Sequence, residues 1–277
     1  MEKIDRLGWA DGFTIRCHGA RIGVRVNDAS VIDQVATRLP PGWLHAASPV
    51  VDALFSVIAH PPEQGNDSGG SERPSIKRFN LLYAGARRVA RSLDLDAVLA
   101  TLEMNLDAAV AERARHRLFV RAGVVAWRGR AIVIPTTLKS GITTLVSALV
   151  DAGALYFSDQ YAVFDAKGRV HPFTRRVSLQ AEKRVTDEDA ERKSATRPVP
   201  VGLILLTEYQ AGIRWQPSLL TPGQSVLALL ARTVMERVAP EFALRVLERV
   251  CTGATTLAGA RGEAQEMPAA LVEHLAR

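Results

Sequence analysis

The chain has 277 residues, with 47% hydrophobic and 23% charged residues and a formal net charge of +6 at pH 7. That composition is ordinary for a soluble globular protein, with length enough for one large domain or two modest ones. No apolar run approaches the roughly 20 residues of a membrane span, and the opening stretch MEKIDRLGWADGF is too charged for a secretory h-region. A cytoplasmic protein with no membrane role is therefore expected.

Cys17 and Cys251 lie far apart and form no metal or redox spacing. The six histidines (His18, His45, His60, His116, His171 and His274) are scattered, so no structural metal is expected. The positive charge suits acidic partners, whether nucleotide, phosphoprotein, acidic peptide or nucleic acid. Small arginine groups such as Arg87-Arg88-Arg91 and Arg113-Arg115-Arg117 carry no aromatic interleaving and match no nucleic-acid module. They read as solvated surface.

In chain order, Phe13 to Cys17 and Arg21 to Val26 alternate with period two, as in a hairpin turning near Gly19. Ala29 to Leu39 reads as a short amphipathic helix stopped by Pro40-Pro41-Gly42, and Val50 to Ala59 as another strand. Pro61 to Ser75, rich in Gly, Ser, Pro and charge, is expected to form a mobile connection. Ile76 to Ala84 and Arg87 to Leu93 again look strand-like. Asp94 to Arg117 is a helix whose stripe includes Leu95, Val98, Leu99, Leu102 and Leu106, with Asp94 as N-cap. A domain boundary is expected near its end, dividing a smaller mixed α+β domain (1–117) from a second domain (118–277).

The second domain is organised around RAIVIPTTLKSGITTLVSALVDAGALYFSDQY, residues 130–161. An apolar run, Ala131 to Ile134, is bounded by Pro135. After a polar turn, Ile142 to Val150 places apolar residues at helical spacing, and Gly153 marks a stop. A second apolar stretch ends in Ser158-Asp159. Strand, loop, helix, strand, acid is the frame of a phosphate-binding P-loop. Set against G-x-x-x-x-G-K-[ST], the first Gly is Thr136, the second is Gly141, the Lys is Ile142 and the hydroxyl is Thr143. The charged residue is missing. Removing one preorganised electrostatic donor costs about 10²–10³ in kcat elsewhere in enzymology, and a lysine at the phosphates should matter no less. Lys139, three residues earlier, is the candidate substitute; the plainer alternative is a solvated Lys139 beside an ordinary strand-to-helix Gly141.

Beyond this frame, Asp165 to Gly168 reads as a turn and Arg169 to Phe173 as a strand. Gln180 to Pro198 is a charged surface excursion, and Val199 to Thr207 is a continuous apolar run suited to a strand buried on both faces. Pro217 to Pro222 is a connector, followed by helices at Gly223 to Val238 and Pro240 to Val250. Thr255 to Leu257 is a candidate last strand, and Pro268 to Ala276 a terminal helix. The fold class expected is α/β (α+β overall), with a P-loop kinase-like sheet and flanking helices after the N-terminal domain.

The segment LFVRAGVVAWRGRAIVIPTTLKSGITTLVSALVDAGALYFSDQYAVFD, from residue 118 to residue 165, resembles the P-loop domain of the HPr kinase/phosphorylase-like family of bacterial serine kinases. More closely, it is similar to HPr-kinase-related proteins whose P-loop reads like PGRSFSGKTTL. The resemblance implies ATP and Mg²⁺ as cofactors, with Ser140, Gly141, Thr143 and Thr144 around the phosphates, beside the candidate substitute Lys139. It also implies a Mg²⁺ contact from Thr143 and Asp159 as the base that deprotonates a serine hydroxyl. A protein or peptide partner and a homo-oligomer fit the same resemblance. The departures are Thr136 for the first Gly, Ile142 for the Lys, Gln160 for a second acid and Arg121 for a His. The Lys charge and second carboxylate, which serve one ATP–Mg²⁺ complex, are absent together. The leading expectation is a disarmed, pseudokinase-like protein kept for binding or regulation, with ATP and Mg²⁺ bound weakly or not at all. The alternative is an active serine or small-molecule kinase in which Lys139, Arg121 or Arg130 supplies the charge. A nucleic-acid module, suggested by net charge alone, ranks last.

Overall fold

The computed structural model describes residues 3–60, 78–136, 141–174, 197–234 and 238–275. The chain is a mixed α/β protein that divides into two compact units, residues 1–113 and 114–277. The expected mobile connection at Pro61 to Ser75 and most of the excursion at Gln180 to Pro198 lie outside the described residues.

The first unit is a six-stranded sheet with strand order β3-β1-β2-β4-β5-β6. Its strands are β1 (Asp11–Cys17), β2 (Ala20–Val26), β3 (Leu44–His45), β4 (Ala53–Ile58), β5 (Asn80–Ala84) and β6 (Arg87–Ser92). The predicted β1–β2 hairpin is present, with Gly19 at φ 88° in its turn. One face, including Ile15, Ile22, Val24, Phe55, Val57 and Leu82, is fully buried or nearly so. Helix α2 (Leu95–Arg113) packs against this sheet and buries Val98, Leu99, Leu102 and Leu106. Asp94 caps it as expected, its carboxylate accepting from the Asp96 N–H at 3.0 Å. The region read as a helix from Ala29 to Leu39 is a 3₁₀ turn (Ala29–Val31) running into a five-residue α1 (Ile32–Ala36). Between β5 and β6 the register shifts by one residue at Val89. As a result Arg91 and Arg88 stand opposite Leu81 and Tyr83, two residues of one face.

The second unit is an eight-stranded mixed sheet. Strands β7 (Leu118–Trp127) and β8 (Arg130–Pro135) form an antiparallel hairpin, and β12 (Val199–Tyr209) and β14 (Thr255–Arg261) continue parallel to β8. The two-residue β13 (Ser218–Leu219) closes that edge antiparallel to β14. On the other side of β7 lie β9 (Leu155–Ser158) and β10 (Tyr161–Phe164), with β11 (Arg169–His171) beyond. The sheet beside Asp159 is mixed: β9 pairs antiparallel with β7. Among the described residues, the α-helices of this unit are α3 (Ile142–Asp151), α4 (Pro222–Leu230), α5 (Pro240–Gly253) and α6 (Met267–Leu275).

Core packing explains the unbroken apolar runs. Alternate residues of β8 feed two cores: Ala131 and Val133 join α5, while Ile132 and Ile134 join α3 and Met267. Val201 and Ile204 of β12 face the first core, and Leu203 and Leu205 the second. A strand covered on both sides has no polar face to display. Helix α4 stops eight residues before the predicted end because the chain leaves it to meet β7. There the Arg121 and Val234 N–H groups donate to Arg232 and Phe119 carbonyls, both at 2.9 Å, and Thr233 bridges Val120. That pairing occupies the side of β7 left open once β8 has ended at Pro135.

The β10–β11 turn is fixed by Asp165, which is buried. Its carboxylate accepts from the Lys167 and Arg169 N–H groups at 2.9 and 3.0 Å, from the Arg169 guanidinium at 3.0 Å and from His171 Nε2 at 3.1 Å. Helix α5 adds a bond from Arg249 to the Ala166 carbonyl. Burial pushes the Asp165 carboxyl up, but these donors outweigh it and hold it at about 2. Since the unfolded chain binds this proton near pH 4, folding stability should fall as pH drops from about 4 to about 2. Acid denaturation of Asp165→Asn should lack that component; an unchanged acid limb would show that the clasp contributes nothing.

A second expectation concerns Gly123 on β7. A Cβ built there would lie 2.5 Å from Ile142 Cγ2 and 2.7 Å from Val146 Cγ2. Gly123→Ala should cost about 1–3 kcal/mol in urea denaturation, the range for overpacking a well-filled core. A loss near zero would mean that α3 moves away without penalty.

Candidate functional site

Strands β8, β12 and β14 run parallel, so Pro135, Tyr209 and Arg261 end at one edge of the sheet. Ala122 stands opposite Pro135, and its N–H donates to the Gln160 carbonyl at 3.1 Å. Asp159 and Gln160 therefore belong to this edge too. Asp165 does not, because Tyr161 pairs with Arg121 while Phe164 pairs with Leu118 at the other end of β10.

Helix α3 begins at Ile142, as the apolar spacing predicts. Gly141 is its N-cap in the left-handed region, at φ 56° and ψ 39°, a conformation that costs glycine little. Its carbonyl accepts the Leu145 N–H at 3.0 Å, the first turn of the helix. Among the described residues no side chain caps this end, so the first-turn N–H groups and the helix dipole favour an anion there. Thr143 and Thr144 are exposed beside it. Lys139 and Ser140 lie outside the described residues.

Ile142, in the register of the lysine, points elsewhere. It is 7% exposed and belongs to the apolar cluster with Val125, Ile134, Leu145 and Val146. The Gly123 position explains how closely this side chain sits, since a Cβ there would lie 2.5 Å from Ile142 Cγ2 and 3.9 Å from the Ser158 carbonyl. The start of α3 and the end of β9 thus flank one glycine. Asp159 follows at once, half-buried, with Oδ1 accepting from the Tyr156 hydroxyl at 3.0 Å. Gln160 is exposed, and the Ser158 hydroxyl holds the bend by accepting from the Gln160 and Tyr161 N–H groups. Asp159 and Thr143 thus lie at the same edge.

The cations of this edge were only partly foreseen. Arg130 does not belong to it: it starts β8 at the opposite end and packs across Gly202. Arg121 does, with its N–H bonded to Arg232 and its carbonyl to the Thr136 N–H. Two arginines that sequence reasoning did not single out stand closer to the frame. Arg232 Nε donates to the Thr136 carbonyl at 3.0 Å, and Arg261 Nη2 to the Gly141 carbonyl at 3.1 Å. Arg261 is 2% exposed, lies with its Cζ 5.5 Å from the centre of the Tyr209 ring, and also donates to the Gly262 carbonyl. Burial lowers its pKa, with Glu263 and Tyr209 opposing; a guanidinium remains a cation nonetheless. The clue in the sequence was Arg261 ending the apolar stretch TTLAGAR, but its place depends on β14 running four residues past the predicted Leu257.

Thr143, Thr144, the first-turn amides and Asp159 are the described groups that could meet a phosphate or its metal ion. Among the described residues no group of three or more His, Cys, Asp or Glu is placed to hold a metal ion, and no helix is long and apolar enough to cross a membrane. No protein-family model and no curated protein matches the chain.

Because Ile142 is a core residue, Ile142→Ala should destabilise the protein by about 2–5 kcal/mol, as Ile truncations in cores do. Chemical denaturation measures this, and a loss below about 0.5 kcal/mol, the scale of surface substitutions, would place Ile142 outside the core.

Proposed function

We propose that the chain is an HPr-kinase-like protein with a disarmed nucleotide site, acting in the cytoplasm as a binding or regulatory partner of another protein or peptide. The observation that carries this reading is Ile142. The side chain in the lysine register is not merely uncharged; it is committed to the core through β7 and α3. Recovering the lysine would take a change in packing as well as in charge. Gln160 in place of a second acid points the same way. At these two positions the chain carries neither the lysine that meets the β/γ-phosphates nor the second acid that serves the metal in phosphoryl transfer from Mg-ATP.

A second reading has its own support. Arg232 and Arg261 bring two permanent positive charges to the ends of the frame, and Asp159 stands at the right edge for a base. On that reading the chain is an ATP-dependent serine kinase with a non-standard loop.

The two readings separate in one experiment. Purified protein is titrated with Mg-ATP by calorimetry and assayed for γ-phosphate transfer to serine-containing peptides, beside Asp159→Ala. The disarmed reading expects binding no tighter than about 1 mM, near −4 kcal/mol, and no transfer above the Asp159→Ala background. Transfer that disappears in Asp159→Ala would overturn it in favour of the active kinase.

A further inference from the structure

We propose that Arg232 and Arg261 are positioning residues that hold the two ends of the β8–α3 connection, so that the start of α3 is set by the protein itself with no ligand required. This goes beyond the functional reading above and stands whether or not the chain transfers phosphate.

Thr136 and Gly141 are the described residues on either side of residues 137–140, and the backbone carbonyl of each accepts from a guanidinium. The two arginines come from different elements. Arg232 follows α4 and is braced on both sides: Nη1 donates to the Ala228 carbonyl at 2.9 Å, and its own carbonyl accepts the Arg121 N–H. Arg261 ends β14, where Nη1 holds the Gly262 carbonyl at 2.9 Å. Tyr209, which lies against its guanidinium, is fixed in turn by a 2.8 Å bond from its hydroxyl to Glu263.

In a working phosphate loop the backbone N–H groups gather around the anion. Here the anchoring is on the carbonyl side and uses charges that are always present. A buried guanidinium beside the positive end of a helix is electrostatically unfavourable, so its bond to Gly141 must offset that cost. Gly141 and Arg261 are also matched sterically. A Cβ on residue 141 would lie 2.9 Å from Arg261 Nη2, in addition to the strain of a positive φ. The backbone conformation favours glycine here, and a Cβ would in addition push the Arg261 guanidinium aside.

The test uses the full chain, ligand-free, labelled with ¹³C-carbonyl glycine and ¹⁵N-isoleucine. The sequence has two Gly–Ile pairs, Gly141–Ile142 and Gly212–Ile213, so the second is an internal control. In Arg261→Gln the Gly141 carbonyl resonance should move while that of Gly212 stays. Exchange of the Leu145 amide, bonded to the Gly141 carbonyl, should rise about tenfold or more relative to amides of β12. An unmoved Gly141 resonance, or Leu145 exchange rising only in step with β12, would overturn the proposal, since general destabilisation predicts the latter. Arg232→Gln, at the more exposed site, gives a second reading through ¹³C-carbonyl, ¹⁵N-threonine labelling. The Thr136 carbonyl signal should move in it, and an unchanged signal in the folded variant counts equally against the proposal.

Discussion

The second unit depends on how closely α3 can approach β7. Gly123 is the contact that allows it. With no side chain there, the methyl groups of Ile142 and Val146 settle onto the strand backbone, and the carbonyl of Ser158 comes to the same spot from β9. This fixes three things together: the height at which α3 begins, the register of β9 beside β7, and the place where Asp159 leaves the sheet. A methyl group at one position would disturb all three, because interiors are packed too densely to absorb it locally.

The same contact gives the site its character. In a phosphate loop the residue after the second glycine is both the first residue of the helix and a source of charge. Here it is the first residue of the helix and a wedge in the core. Among the described residues, Arg232 after α4 and Arg261 at the end of β14 bring positive charge to this edge, and both donate to carbonyl groups. The helix end keeps its open amides and its exposed threonine hydroxyls, while the interior beneath it is sealed with hydrocarbon.

Much of this was legible in the sequence because it is local. The β8 run, the apolar spacing of α3, the Asp94 cap of α2 and the two-faced β12 each follow from a few neighbouring residues, and each was placed within a few residues of its observed bounds. The order of strand β8, helix α3 and strand β9 was legible for the same reason. What was not legible depends on partners far along the chain. Nothing in Arg232 to Val234 shows that they will leave a helix to pair with β7, since the vacancy beside β7 exists only because β8 stops at Pro135. Arg261 looks like a surface residue until β14 is known to run alongside β12 as far as Tyr209, which carries it under the Gly141 turn. Arg130 was offered as a charge donor because it flanks the right strand, but a strand has two ends and it occupies the other one. The core role of Ile142 needed Gly123, nineteen positions earlier in the sequence.

The extra residue in β6 has a consequence for the solution behaviour of the protein. Among the described residues, β6 is the terminal strand of the first sheet and has a paired neighbour on one side only. A regular strand in that position is a template on which a second chain can add by main-chain bonding alone. The shift at Val89 interrupts its regular spacing, and it puts Arg88 and Arg91 on one side of the sheet. A second copy approaching this edge would meet an irregular ladder and a pair of like charges. The single inserted residue thus makes this edge a poorer template for strand addition.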